Sequence, residues 1–273
     1  MPYLKTKRGM NWHYEVEGQG DPILFIHGWG VDSRIWRQQV KHFSARFCAV
    51  AVDLPGHGKT EWRKISLAEI AGDIREVLWD LGLEKVGVVG SSLGGLVALK
   101  LFAIAPQAVR FLVFVGSQPR FSRSEDYPYG LEVSRIRKLA AQLNSDYPSM
   151  VNIFFRSLFT HYERGSRRYK WIQTFRQNID FPHKEALLQM LDVLENEDLR
   201  EHMPRGGLPV QFINGTDDYI CPKELFTYFS RTIPGATLDL FPRCGHFPFL
   251  TKPYEFNETI ERFLSSFLPR QEK

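Results

Sequence analysis

The stretch Gly90-Ser91-Ser92-Leu93-Gly94 lies between a short, β-branched apolar run at 85–89 and a segment of helical composition at 95–105. A G-x-S-x-G pattern at a strand-to-helix junction is typical of a sharp turn that exposes a nucleophilic serine. Glycines two residues before and after Ser92 relieve crowding where the turn brings the strand and the helix together. These five residues alone would also fit an ordinary Gly/Ser-rich turn, so the interpretation depends on the rest of the chain.

Three further strand-like runs end in residues that suit the same chemistry. They lead into His27-Gly28-Trp29-Gly30, Gly215-Thr216-Asp217-Asp218 and Cys244-Gly245-His246. A serine, an acid and a histidine therefore each follow a strand, in that chain order. The order predicts a Ser-acid-His site at the carboxyl ends of parallel strands, where ligands bind in open α/β sheets.

Within this site Ser92 is the candidate nucleophile and His246 is the candidate base. A serine hydroxyl needs a base within hydrogen-bond reach, and the base needs an acid that orients it. His246 follows a glycine on the loop after the last strand, and His57 is its closest rival. Asp217 and Asp218 compete as the acid, and the turn pattern G-x-x-D-x-x-x-P favours Asp218.

Two backbone N–H groups are candidate donors to the negative charge that develops on an acyl oxygen. One belongs to Leu93, directly after the nucleophile, and the other belongs to Trp29, in the loop after the first of these strands. Such an oxyanion hole needs two donors that point at the same oxygen.

Strand-like and helical segments alternate up to Gln118-Pro119 and resume at Leu208. This alternation predicts an α/β protein with a mostly parallel sheet and helices on both faces. Ser66, followed three residues later by Glu69, has the spacing of a capping box and predicts a helix over 66–81.

The intervening segment contains helical patterns and no convincing strand. We expect residues 119–204 to form a helical lid over the carboxyl ends of the strands, inserted between core segments 1–118 and 205–273. The predicted lid helices cover 131–143, 148–160, 166–178 and 183–200.

The lid segment has an uneven distribution of charge. Residues 156–176 contain six basic side chains and one acidic side chain, whereas residues 180–201 contain seven acidic and two basic ones. Two solvated helix faces that attract each other would explain this pattern, and so would a docking patch for an anionic partner. The candidate docking residues are Arg156, Arg164, Arg167 and Arg168.

Composition excludes several classes of protein. The 273 residues are 43% hydrophobic and include 21 Phe, enough for one large domain or a core with an inserted subdomain. A net charge of +4 is too small to imply a nucleic-acid partner without a local patch. No apolar run reaches the length of about 18 residues that would indicate a membrane span.

The cysteines favour a reducing compartment. Cys48, Cys221 and Cys244 form no C-x-x-C pair and cannot all be bridged. With no apolar secretory segment at the start of the sequence, we expect a cytoplasmic protein, and we expect it to be a monomer. No His/Cys cluster has zinc spacing, and the Gly58-Lys59-Thr60 stretch has Asp53 where a phosphate-binding loop needs glycine, so we expect no cofactor.

With these motifs in place, the chain resembles the biotin-pathway carboxylesterases of the α/β-hydrolase superfamily, which hydrolyse pimeloyl-[acyl-carrier protein] methyl ester. The resemblance covers nearly the whole chain, and it is carried by the elbow, by His27-Gly28-Trp29-Gly30 and by the lid segments 117–122 and 142–147. It implies an α/β-hydrolase fold with a Ser92–Asp218–His246 triad.

The resemblance also implies how the substrate is held. It places Trp29 and Leu93 at the acyl carbonyl and an acyl-carrier protein on the lid, where arginines of the family grip the carrier. Ser149 and Ile153 stand where two of those arginines are expected, so the candidate docking residues would have to substitute for them. The implied substrate-binding residues are Trp29, Ser92, Leu93, Phe154, Phe155, Arg156, Ser157, Leu158 and His246.

Three other functions remain open at this point. The same motifs would serve a general carboxylesterase for small free esters or a hydrolase of C–C bonds. A ligand receptor that keeps the hydrolase fold is the alternative outside enzymes. The intact elbow, oxyanion loop and histidine loop favour turnover over sensing.

Overall fold

The computed structural model describes residues 3–178 and 180–268, and within them eight strands form one sheet. The strands are β1 (Tyr3–Lys5), β2 (Asn11–Glu17), β3 (Pro22–Ile26), β4 (Cys48–Val52), β5 (Val86–Ser91), β6 (Val109–Val115), β7 (Val210–Gly215) and β8 (Thr237–Phe241). Their order in the sheet is β1-β2-β4-β3-β5-β6-β7-β8. The first two strands pair antiparallel, and β2 is antiparallel to β4, whereas β3 to β8 pair in parallel. The prediction of a mostly parallel sheet is confirmed.

Helices follow most strands, and a group of them lies between β6 and β7. Short 3-10 turns cover Ser33–Trp36, Pro106–Ala108 and Arg200–His202. The α-helices are α1 (Arg37–Phe43), α2 (Leu67–Asp80), α3 (Leu93–Ile104), α4 (Val133–Ser145), α5 (Tyr147–Ser157), α6 (His161–Arg164), α7 (Arg167–Gln177), α8 (Lys184–Asn196), α9 (Leu225–Thr232), α10 (Pro248–Thr251) and α11 (Pro253–Ser265).

Helices α4 to α8 fall inside the predicted lid range 119–204. Of the predicted ranges, residues 1–2, 179 and 269–273 lie outside the described residues.

The apolar runs that predicted the central strands are buried on both faces. Every residue of β5 is buried, and so are the last four residues of β3 and of β4. Because successive side chains of a strand point to opposite faces, burial of consecutive residues requires cover on both sides of the sheet. The sheet therefore forms the middle layer of the molecule and leaves its strand ends for the site.

The predicted capping box at the start of α2 is present. Glu69 N–H donates to Ser66 Oγ at 3.3 Å, and Ser66 N–H donates to Glu69 Oε2 at 2.9 Å. The two bonds satisfy backbone donors that have no partner inside the helix, which is why the helix begins there.

Several short elements were not predicted, among them β1 and α6, and two lid helices end several residues early: α5 ends at Ser157 instead of residue 160, and α8 is the second. Strand β1 and helix α6 span three and four residues, too few to show a periodic pattern. The last lid helix ends at Asn196 instead of continuing to residue 200, because Glu197 is extended and Asp198 pairs with Arg120.

Two glycines in regular structure should respond in opposite ways to alanine. In the middle of α2, a β-carbon on Gly72 would meet nothing within 4 Å, so Gly72→Ala should raise the free energy of unfolding by about 0.5–1 kcal/mol. In β5, a β-carbon on Gly87 would lie 1.9 Å from the Phe111 ring. Gly87→Ala should lower the free energy of unfolding by about 1–3 kcal/mol. Urea titrations measure both, and a stabilised Gly87→Ala protein would contradict this packing.

Candidate active site

Ser92 occupies a backbone conformation that few residues other than glycine adopt. Its φ of 54° and ψ of −119° lie at the junction of β5 and α3. Such a conformation costs on the order of 1–3 kcal/mol and persists only when the surroundings impose it. Two hydrogen bonds do so here: Ser92 N–H donates to Val115 O at 2.9 Å, and Ser117 Oγ donates to Ser92 O at 2.7 Å.

The glycines of the elbow are required by close backbone contacts. A β-carbon on Gly90 would lie 2.5 Å from Gly94 O, and one on Gly94 would lie 2.3 Å from Ile26 O. Real β-carbons do not approach a carbonyl oxygen so closely, so larger residues would force the strand and the helix apart. The spacing noted in the sequence thus has the expected physical cause.

His246 and Asp218 form a buried pair. His246 Nδ1 lies 2.8 Å from Asp218 Oδ2, and both side chains are almost fully buried. The other oxygen of Asp218 accepts the backbone N–H groups of Ile220 and Cys221 at 2.8 and 3.2 Å. Asp217 is exposed and instead accepts a hydrogen bond from the Thr216 hydroxyl.

Gly116 brings the serine and the histidine to the same loop. It has a φ of +53°, and a β-carbon there would lie 2.9 Å from His246 Nδ1. The residues on either side of it are those that bond to the Ser92 backbone. Ser92 and His246 therefore both lie at the end of β6.

The candidate oxyanion loop lies against the elbow. A β-carbon on Gly28 would lie 3.1 Å from Ser92 Cβ, so the loop passes directly beside the serine. Leu93 is the first residue of α3, and the first N–H groups of a helix have no acceptor inside the helix. The Trp29 side chain anchors the loop to the lid, because its indole N–H donates to Leu187 O at 3.0 Å.

His57, the other candidate for the catalytic base, forms a hydrogen bond to this loop. Its Nε2 accepts the Gly30 N–H at 3.4 Å, and its Nδ1 lies 3.0 Å from Pro55 O. Burial lowers the pKa of His57 to about 3, so the ring is neutral at pH 7 and can accept at Nε2. The structure thus places His57 under the oxyanion loop, with His246 as the histidine that meets a carboxylate of the acid loop.

An apolar cavity of about 190 Å³ opens beside Ser92. Most of its wall is aliphatic and aromatic, and its polar lining comes from Arg135, Gln142, Ser157 and Tyr219 besides Ser92. The apolar lining comprises Trp29, Phe121, Leu131, Ile136, Leu139, Met150, Ile153, Phe154, Leu191, Leu194 and Ile220.

The resemblance implied that residues 154–158 contact the substrate. Of these, only residues on one face of α5 line the cavity. Phe154 and Ser157, three residues apart on the helix, line the cavity. Phe155 packs against Phe159 and Phe247, and Arg156 lines a separate cavity with Tyr169 and Gln173. Leu158 is buried and uses its carbonyl to accept the His246 N–H at 2.9 Å.

The four candidate docking arginines differ in how their guanidinium groups are engaged. Arg156 and Arg167 are exposed. Arg164 donates to Phe159 O at 3.0 Å, and Arg168 donates to Leu250 O and Gln38 Oε1, both at 2.6 Å. Arg168 therefore joins the lid to the core.

Acidic residues of the segment 180–201 form ion pairs with cations other than the four candidate docking arginines. Glu195 pairs with Arg137, Glu197 with Lys100, and Asp198 with Arg120 and Arg200. Among the described residues, none of the four candidate docking arginines forms an ion pair with this acidic segment.

Arg135, Tyr219 and Glu163 are among the site residues that the sequence did not reveal. Arg135 and Tyr219 line the cavity, and the Arg135 guanidinium carbon lies 5.2 Å from the Tyr219 ring centre. Glu163 contacts the histidine loop from the lid. The Thr160–Glu163 spacing was a readable capping-box signal, but the long-range contacts of all three carry no sequence pattern.

The described residues contain neither a metal cluster nor a membrane-spanning helix. Among the described residues, no group of three His, Cys, Asp or Glu side chains could hold a metal ion. Nor is any helix in the described part of the chain both long and apolar enough to cross a membrane.

Comparison with known proteins identifies the family of the chain. A family model described as the alpha/beta hydrolase fold matches residues 21–253. A pimeloyl-[acyl-carrier protein] methyl ester esterase from Nitrosomonas europaea is 35% identical over 89% of this chain and 96% of its own length. Its counterpart from Vibrio parahaemolyticus is 31% identical over 93% of this chain and 98% of its own.

Solved structures share the fold. An esterase from Exiguobacterium antarcticum has a TM-score of 0.86 at 26% identity, covering 96% of this chain and 98% of its own. An enol-lactonase from Burkholderia xenovorans has the same TM-score at 20% identity, covering 97% of this chain and all of its own, and so shows the fold alone.

The two neighbouring aspartates should respond very differently to amidation. Asp218→Asn should lower kcat by about 10⁴-fold, because an asparagine favours the wrong tautomer of the partner imidazole. Asp217→Asn, on the exposed side of the same turn, should leave kcat nearly unchanged. Hydrolysis of a p-nitrophenyl ester measures both, and a larger loss for Asp217→Asn would show that the acid is misassigned.

Burial of neutral His57 should make the protein less stable in mild acid. Its folded pKa of about 3 lies below the ordinary 6.5, so the unfolded chain binds a proton first as the pH falls. Stability is therefore lost progressively below pH 6.5, by up to about 2 kcal/mol at pH 5. His57→Gln should reduce the difference in unfolding free energy between pH 7.5 and pH 5. The matched variant His161→Gln, at an exposed site, should keep that difference, and equal responses would contradict the account.

Proposed function

The chain belongs to the α/β-hydrolase family, and from that premise we propose that it is a serine carboxylesterase that hydrolyses the methyl ester of a pimeloyl chain borne by acyl-carrier protein. The observation that carries the chemistry is the buried His246–Asp218 pair, which lies with the strained Ser92 at the end of β6. Two relatives that are 35% and 31% identical to this chain, both named for that substrate, support the identity of the ester.

In the proposed reaction His246 acts first as a base and then as an acid. With Nδ1–H donated to Asp218, its Nε2 accepts the Ser92 proton while Ser92 Oγ attacks the ester carbonyl. The N–H groups of Trp29 and Leu93 stabilise the negative oxygen of the tetrahedral intermediate. Collapse of the intermediate forms the acyl-enzyme, and His246 gives its proton to the departing methanol.

The second half of the reaction restores the enzyme. His246 removes a proton from water, the hydroxide adds to the acyl-enzyme carbonyl, and the bond to Ser92 Oγ breaks as the serine regains its proton. The product is a free carboxylate at the end of the chain. Asp218 keeps its charge throughout and stabilises the imidazolium that forms twice.

The cavity suits an aliphatic acyl chain with its ester end at Ser92. Its walls supply apolar contacts, and its few polar groups include the exposed side chains of Arg135 and Tyr219, which mark its water-facing side. A thioester-linked carrier would extend from that side. Residues 119–204 act in this proposal as the lid that closes the cavity over the core.

Exposed lid cations supply the contact with the carrier. Acyl-carrier protein is acidic, and Arg156 and Arg167 present charges that are not engaged in the bonds that hold Arg164 and Arg168. Complementary charge mainly accelerates encounter, and its effect falls with salt.

A small-ester carboxylesterase is the second candidate. A cavity of about 190 Å³ accommodates a short free ester without any carrier, and the esterase from Exiguobacterium antarcticum shares the architecture. The two functions differ in whether a carrier improves turnover.

The pair Arg156→Ala and Arg167→Ala should separate these functions. In the double variant, KM for pimeloyl-carrier methyl ester should rise several-fold, while kinetics on monomethyl pimelate stay unchanged. Added salt should weaken the first reaction and spare the second, because exposed charges more than about 8 Å apart are screened at physiological ionic strength. Steady-state release of methanol measures both.

One control and two further results decide between the two functions. Ser92→Ala should abolish both activities, which ties them to the same site. A wild-type protein that hydrolyses the free ester as efficiently as the carrier-bound one would favour the small-ester carboxylesterase. Equal losses on both substrates in the double variant would show that the two arginines serve the lid and not the carrier.

A further inference from the structure

A buried carboxylate of the lid reaches the loop that carries the histidine. Glu163, on α6, is only 5% exposed. Its Oε2 accepts the Gly245 N–H at 3.0 Å, and its Oε1 accepts the Cys244 S–H at 3.3 Å. Burial raises the pKa of Cys244, so the thiol keeps the proton that it donates. These two partners directly precede His246.

A second contact from the same lid segment extends the connection to His246 itself. The His246 N–H donates to Leu158 O at 2.9 Å. A β-carbon on Gly245 would lie 2.4 Å from that carbonyl oxygen and 3.0 Å from Glu163 Oε2. The glycine therefore allows the two segments to approach, and three consecutive residues of the histidine loop are hydrogen-bonded to residues 158–163.

The carboxylate is itself held in one orientation. Oε2 of Glu163 also accepts the Thr160 N–H at 2.7 Å, and Thr160 Oγ1 accepts the Glu163 N–H at 3.0 Å, which completes a capping box. One oxygen thus joins the first turn of α6 to Gly245. Movement of this turn would be transmitted to the histidine loop.

Comparison with the other capping box of the chain shows what is special about Glu163. Glu69 makes the same pair of bonds at α2, but its side chain is 41% exposed and pairs with Arg8. Within the described residues, Glu163 has no such cation partner at ion-pair distance. Burying a carboxylate costs free energy unless hydrogen bonds compensate it, and two of its compensating bonds come from the histidine loop.

We infer that Glu163 is a positioning residue, through which the lid holds the 244–246 loop so that His246 meets Asp218 and Ser92. The inference rests on the proposed role of His246 as the catalytic base. Displacement of a reacting group by about 1 Å can cost on the order of 100-fold in rate. The lid then contributes to the geometry of catalysis besides covering the substrate.

The test compares variants on a free p-nitrophenyl ester, so that carrier docking plays no part. Glu163→Ala should lower kcat by about 10- to 100-fold with little change in KM. Glu163→Gln should retain kcat within a few-fold, because its amide oxygen can accept both N–H groups while its NH₂ faces the Cys244 sulfur. Thr160→Ala and Glu69→Ala each break a capping box without removing the bond to Gly245, and both should keep kcat.

Three results would overturn the inference. They are an unchanged kcat for Glu163→Ala, a loss no larger than that of Thr160→Ala, or a Glu163→Gln protein as impaired as Glu163→Ala. Thermal unfolding shows whether each variant is folded at the assay temperature. If Glu163→Ala is not, Glu163→Asp replaces it, since the shorter side chain cannot reach Thr160 and Gly245 together, and the same kcat loss is expected.

Parallel variants separate this inference from the proposed function. Ser92→Ala and His246→Ala should abolish hydrolysis of the same ester. If these two variants abolish hydrolysis while Glu163→Ala is fully active, only the positioning role of Glu163 is wrong. If these two variants do not abolish hydrolysis, the proposed esterase site is wrong regardless of the result for Glu163→Ala.

Discussion

The backbone of Ser92 imposes the constraint on which the site depends. A residue with φ of 54° cannot be accommodated in a regular strand or helix, so it forms a corner that lifts its side chain out of the sheet. The corner also starts α3 at the next residue and so leaves the Leu93 N–H without a helical acceptor. Close packing of Gly90 on Gly94, and of Gly94 on the end of β3, keeps this strained turn in place.

Both loops that face Ser92 are anchored to the lid as well as to the core. The Trp29 indole reaches Leu187 on α8, and the His246 N–H reaches Leu158 after α5. Glu163 adds the contact to Gly245. Hydrogen bonds therefore couple the packing of residues 158–187 to the positions of both loops.

Charge on the lid is only partly free to meet a partner. A guanidinium that donates to carbonyls of its own chain, like that of Arg168, has fewer donors left and has already lost part of its hydration. The exposed guanidinium groups of Arg156 and Arg167 retain their donors and their hydration. Which of the candidate docking cations remain available therefore depends on the packing around each one, and a count of arginines does not show it.

The sequence by itself determined the strands other than β1, the elbow and the order of serine, acid and histidine, because these follow from local patterns: apolar runs, glycine spacing and turn residues. Local pattern also favoured Asp218 over Asp217, although the pairing with His246 is seen only in the fold. Tertiary structure alone decided which face of α5 lines the cavity, why Arg168 is engaged and what Glu163 contacts. Each of these rests on residues distant in sequence, 82 positions apart for Glu163 and Gly245, and no local periodicity records such a contact.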